Sequence, residues 1–198
     1  MNIGILALQG NYQQHNNVLD MLGIQSTLIR HSRELDKCDS LIIPGGESSV
    51  ISKLLDNIQL RLNLIDFAGT SPILGTCAGM IMLSNTKATD NMEPLNIMDF
   101  EVKRNAWGRQ ANSFSAEINL DFEKNNRSFH AVFIRAPRIS RIGKSIKILA
   151  SYNDEPILIS NGIHLASSFH PEFGTDTQIH NYFINLVKEN EKINSLRN

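Results

Sequence analysis

Residues 73–83, ILGTCAGMIML, constrain the fold of this chain more than any other stretch. An apolar run meets a helical run across a turn that carries one cysteine, Cys77, with Gly75 and Gly79 on either side. That is the sequence form of a nucleophile elbow. The reactive side chain stands on a sharp strand-to-helix turn, and small flanking residues let the backbone pass closely. A cysteine so placed lies at a helix N-terminus, where free N–H groups favour a thiolate. Read alone, the stretch is equally compatible with a small buried cysteine beside two close-packing glycines.

An elbow needs strands that feed helices, and the first half of the chain repeats that unit. Residues 3–8 are expected as a strand, 13–22 as a helix stopped by Gly23, 26–29 as a second strand and 41–43 as a third. A helix follows Ser48, another helical stretch runs from about residue 59 to 67, and residues 73–75 lead into Cys77. Short apolar strands separated by helices imply an α/β fold, a three-layer, doubly wound, mainly parallel sheet with helices on both faces. Ligands bind such sheets at the carboxyl ends of the strands, where Gly10, Gly46 and Cys77 all fall.

From residue 99 to 169 the pattern changes to strands, among them 129–134, 146–151, 156–160 and 163–169, an antiparallel extension of the sheet. Asn161-Gly162 reads as a two-residue hairpin turn. Thr175 with Gln178 resembles a capping box that opens a terminal helix through about Glu191, and Ser48 or Ser49 stands where it could cap an earlier helix.

Two further segments suit the elbow's chemistry. In Ser168-Phe169-His170-Pro171-Glu172 the residue before proline is pushed toward extended geometry, in which residues two apart share a side. His170 and Glu172 are then side by side, Glu172 holding one imidazole nitrogen while the other takes the proton of Cys77. His15, His31, His130, His164 and His180 have no acidic residue two positions on, and are expected as packed or surface residues. In Leu41-Ile42-Ile43-Pro44-Gly45-Gly46-Glu47-Ser48-Ser49 a buried strand ends in a Gly-Gly turn. The N–H groups of Gly46 and of Ala78 are the expected donors to a tetrahedral oxyanion.

GTCAG, PGGES and SFHPE resemble the motifs of the triad-type (class I) glutamine amidotransferases, in which Cys, His and Glu release ammonia from the glutamine side chain. GILALQG at residues 4–10, RNAWGRQ at 104–110 and VFIRAP at 132–137 narrow the resemblance to the glutaminase subunit of pyridoxal 5′-phosphate synthase, over nearly the whole chain. The chain departs from that family at Ala106-Trp107 (Ser-Phe), Ser49-Val50 (Thr-Thr), Met80 and Phe173 (both Leu), and it lacks the basic residue common before His15.

The resemblance implies a catalytic triad of Cys77, His170 and Glu172. It also implies glutamine binding by Gly46, Glu47, Ser48, Arg104, Ile134 and Arg135, an arginine being suited to hold the α-carboxylate. It implies a partner as well, a barrel-shaped synthase subunit that combines the ammonia with ribose 5-phosphate and glyceraldehyde 3-phosphate. Gln9 and Gly10 are the candidates for a switch that forms when that partner docks. Arg109, Arg138 and Arg141 read as surface residues, Trp107 as packing or subunit contact, and Met80 and Met82 as core.

Composition narrows the remaining classes. The 198 residues, 41% hydrophobic and without a linker, suit a single domain over 1–198. A formal net charge of −1 carries no footprint for nucleic acid or an anionic membrane. The apolar run at residues 5–8 is far too short for a signal peptide or a span, which implies a soluble cytoplasmic protein with Cys38 and Cys77 both reduced. Neither metal-spaced Cys/His clusters nor a phosphate-binding loop is present, so no cofactor or metal is expected. Two alternatives stay open. One is the glutaminase subunit of another complex, serving histidine or aminobenzoate synthesis, against which LALQG and FIRAP argue; the other is a non-catalytic member of the fold.

Overall fold

The computed structural model describes residues 1–89, 91–104, 113–122 and 127–196. In chain order the elements are β1 (Asn2–Leu6), α1 (Tyr12–Met21), β2 (Gln25–Ile29), α2 (Ser32–Leu35), β3 (Ser40–Ile43), α3 (Ser48–Asn57), α4 (Arg61–Ala68), β4 (Ile73–Thr76) and α5 (Ala78–Leu83). There follow β5 (Phe100–Lys103), β6 (Ser113–Asn119), β7 (Ser128–Ile134), β8 (Arg138–Ile142), β9 (Lys147–Tyr152), β10 (Glu155–Ser160), β11 (Leu165–Ser167) and α6 (Gln178–Ser195). The central sheet has seven strands in the order β2-β1-β3-β4-β11-β10-β9. The first five are parallel, and β10 and β9 extend them antiparallel. Two ribbons, β5 with β8 and β6 with β7, complete the expected α/β architecture.

The inner strands are apolar at consecutive positions because both faces of the sheet are covered. Ile3, Ile5, Ile42 and Leu74 enter one core with Leu19 of α1 and Ile179, Phe183 and Val187 of α6. Their neighbours Leu6, Leu41, Ile43 and Ile73 enter the other, with Ile51 and Leu55 of α3, Leu64 of α4 and Met80 and Met82 of α5. Burial of each such side chain stabilises by about 1.5–3 kcal/mol relative to exposure. Among the described residues no helix is long and apolar enough to cross a membrane.

Local signals were outcompeted in four places. Asn161-Gly162 is not a two-residue turn, because β10 and β11 pair last through Ser160 and Leu165 and enclose a four-residue loop. The Asn161 side-chain Oδ1 accepts from the N–H groups of Ile163 and His164, which closes the longer loop. Strand β11 is correspondingly short, three residues rather than the seven of 163–169. The capping box at Thr175 does not form. The Gln178 amide donates instead to Asp176 Oδ2 at 2.7 Å, the Gln178 N–H goes to Asp176 Oδ1 at 3.0 Å, and α6 starts at Gln178 and runs on to Ser195. Neither Ser48 nor Ser49 caps α3: Glu47 holds the cap position, Ser48 is already in the first turn, and Ser49 Oγ donates to Glu47 Oε1. Helix α4 begins at Arg61 because Gln59, at φ +57°, interrupts the helical path.

Candidate active site

Strands β1, β3, β4 and β11 all end at the same edge, and their following loops enclose a cavity of about 320 Å³. Cys77 is the first residue past β4, with φ +49° and ψ −102°, a conformation that a non-glycine residue keeps only when its surroundings force it. Two contacts do so. Its N–H donates to Ser167 O of β11 at 2.8 Å, and Gly79, two residues on, lies against the Ile43 carbonyl so closely that a Cβ there would overlap it. The elbow read from Gly75, Cys77 and Gly79 is therefore present, and the Ala78 N–H opens α5 without an intrahelical acceptor.

His170 follows β11 and is anchored by its N–H to Val132 O of β7 at 2.8 Å. Its Nδ1 lies 2.7 Å from Glu172 Oε1, the Cys77 thiol is close enough to act on its ring, and that thiol donates to Ile134 O at 3.6 Å. The side-by-side placement was expected from an extended segment. The backbone instead turns at Pro171-Glu172, with Phe173 N–H toward His170 O at 3.4 Å, so the pair meets across a turn. Burial alone would lower the His170 imidazole, but Cys77 and Glu172 push it up to about 10. Burial alone would raise the Glu172 carboxyl, but the facing His15 and His170 hold it far below the usual carboxylate range.

Gln9, Gly10, Gly46, Glu47, Ser48, Arg104, Ile134 and Arg135, all expected at the site, line the cavity together with Cys77, Ala78 and His170. Glu172 stands behind His170, its side chain without solvent exposure. Gly10, at φ +93°, brings the β1 loop against the β3 loop, where Asn11 N–H donates to Gly45 O at 3.0 Å and the Glu47 N–H donates to Gln9 Oε1 at 2.8 Å. Arg104 reaches Glu47 Oε1 at 2.9 Å across the cavity mouth, and Arg135 sits at φ +46°. Arg138 and Arg141 lie away from the cavity, paired with Glu155 and with Asp99 and Glu101. Trp107 and Arg109 lie outside the described residues.

Sequence reasoning missed Asn11, Ile81 and Phe173 in the cavity wall and the buried His15 and His180 behind it. A signal existed for the two histidines. His15 precedes Val18 and Leu19, and His180 precedes Phe183, Ile184 and Val187, at the spacing of an inward helical face.

A parallel sheet with a cysteine elbow and a histidine–carboxylate pair at its carboxyl edge defines a glutamine amidotransferase fold. The chain superposes on a crystal structure described as a glutamine amidotransferase with a TM-score of 0.88 and 38% identity, covering 94% of this chain and 98% of that one. The profile of the SNO glutamine amidotransferase family matches residues 5–189, and the chain belongs to that family. It is 43% identical over 186 residues to "Pyridoxal 5'-phosphate synthase subunit PdxT" of Francisella philomiragia, covering 94% of this chain and 99% of the relative. It is 40% identical over 191 residues to the protein of the same name in Thermosipho africanus, covering 96% and 100%.

Proposed function

We propose that this chain is the glutaminase subunit of a pyridoxal 5′-phosphate synthase, a single amidotransferase unit that hydrolyses L-glutamine to L-glutamate and ammonia and hands the ammonia to a barrel-shaped synthase partner. The observation that carries the reading is the grouping of Cys77, His170 and Glu172, from two distant segments, at one cavity of the size and polarity for a small amino acid. Cys77 Sγ attacks the side-chain amide carbon as His170 holds the thiol proton. The oxyanion is received by the N–H groups of Gly46 and Ala78, each worth roughly 10²–10³ in rate. The His170 proton passes to the leaving ammonia, and water then cleaves the thioester with His170 as base. Arg104 or Arg135 holds the α-carboxylate, and Glu47 and Ser48 complete the binding wall. Reduced cysteines suit a cytoplasmic setting.

In this reading Gln9 and Gly10 form the switch that responds to the synthase. The contact of Gln9 Oε1 with the Glu47 N–H supports it, since that contact ties the β1 loop to the loop carrying Gly46. The test is glutamate release from glutamine by the protein alone and with a pyridoxal 5′-phosphate synthase subunit added. Cys77→Ala is expected to lower release by at least about 10³-fold, and Gln9→Ala to blunt the stimulation by the partner. Release unaffected by Cys77→Ala would sink the mechanism, and release indifferent to that synthase would point to another partner.

A further inference from the structure

Glu172 has histidines on two sides, and the mechanism above uses one of them. Its Oε1 faces His170 Nδ1 at 2.7 Å and Asn11 Nδ2 at 3.4 Å. Its Oε2 is buried and without a hydrogen-bond partner, and His15 Nε2 lies 3.4 Å from it. His15, on α1, is fully buried, and its Nδ1 lies 3.0 Å from Nε2 of His180, on α6, also fully buried. Thr76 Oγ1 stands 3.2 Å from the same His15 Nε2. Neither imidazole lines the cavity. Two buried histidines set end to end against the back of a carboxylate are costly unless donors meet acceptors.

For neutral rings one arrangement pairs them best. His15 donates from Nε2 toward Glu172 Oε2 and accepts at Nδ1 from the Nε2–H of His180. This arrangement gives Glu172 Oε2 its nearest donor and leaves the His180 Nδ1 lone pair over; both of these atoms are buried without a hydrogen-bond partner. The opposite tautomers would set a lone pair of His15 against the carboxylate and leave a buried N–H of His180 unpaired, at greater cost. Burial favours neutrality in both: it lowers the His15 imidazole and pushes that of His180 down to about 3.

We infer that His15, backed by His180, is a positioning residue that holds the second oxygen of Glu172 and so keeps the first aimed at His170. The role rests on the triad reading above. His15 acts on the reaction only through Glu172, in the way that outer partners orient a metal-bound or catalytic histidine.

The test uses the full chain labelled with ¹⁵N-histidine and follows the low-field Nδ1 proton of His170, a readout that needs neither glutamine nor synthase. In His15→Leu this proton is expected to exchange with water at least about tenfold faster. In His15→Gln, whose amide nitrogen reaches the Nε2 position, it is expected to stay protected. With the synthase present, kcat of His15→Leu should fall roughly 10–100-fold, with KM within about twofold, and His15→Gln should recover most of it. A protected His170 proton in folded His15→Leu overturns the inference, as does an equal loss in His15→Gln. Should His15→Leu fail to fold, His180→Leu decides, since faster exchange supports the inference and unchanged exchange overturns it. A chain that shows the proton effect but hydrolyses no glutamine would reject the proposed function and leave the inference standing.

Discussion

Strand β11 has a buried histidine at each end, and the two are treated in opposite ways. His164 precedes the strand, where its Nδ1 accepts the Ile73 N–H at 3.1 Å, and burial pushes its imidazole down to about 4. His170 follows it, where Cys77 and Glu172 outweigh burial and push the imidazole up to about 10. Burial by itself makes a histidine a neutral acceptor that stitches two strands together. A carboxylate on one nitrogen and a thiol on the other turn the same side chain into a proton carrier.

The largest expected effect erases that contrast. Glu172→Gln should drop kcat for glutamine by about 10²-fold or more, and an NMR titration should find His170 back toward the ordinary imidazole range. A His170 titration unmoved by the change would mean that Glu172 does not set its charge.

The next effect sharpens the other end. His164 stays neutral in the folded chain while the unfolded chain takes up a proton below its ordinary value of 6.5, so stability is lost as pH falls from 6.5 toward about 4. The loss is on the order of 2–3 kcal/mol. His164→Asn, which keeps an acceptor for the Ile73 N–H, should show a shallower acid slope in urea unfolding at pH 7 and pH 4.5; equal slopes would contradict the assignment. His170 has the opposite sign, its contribution being full below about pH 6.5 and lost as pH rises through about 10. The smallest effect tests a charge at neither end. Arg141→Ala removes exposed pairs with Asp99 and Glu101, and should leave glutamate release within about twofold and the unfolding midpoint within about 2 °C.

What was legible in the sequence is what short-range patterns control. The apolar runs at residues 3–5, 41–43 and 73–74 identified the inner strands, and the glycines around Cys77 identified the elbow, because each is a local requirement of backbone path. His170 and Glu172 were expected side by side and are so, but for an incomplete geometric reason, since proline permits a turn as well as an extended segment. The failures were contests between local signals. Asn161 lengthened a loop that Asn-Gly would have closed early, and Asp176 took the glutamine that a capping box would have used. The burial of His15 and of His180 was open to a reading of helical spacing, but their pairing was invisible because the partners are 165 residues apart.

The place of β11 in the sheet has a consequence for the order in which the protein becomes reactive. It is the last strand in the chain, yet it inserts between β4 and β10, and it brings His170 to Asn11 across a separation of 159 residues. Long-range pairing of this kind is slow and comes late in folding. A nascent chain therefore carries Cys77 out of the ribosome as an ordinary thiol. On the proposed mechanism it gains its proton acceptor only when the carboxy-terminal segment has been made and threaded home, so a truncated or half-folded molecule would hold no armed nucleophile.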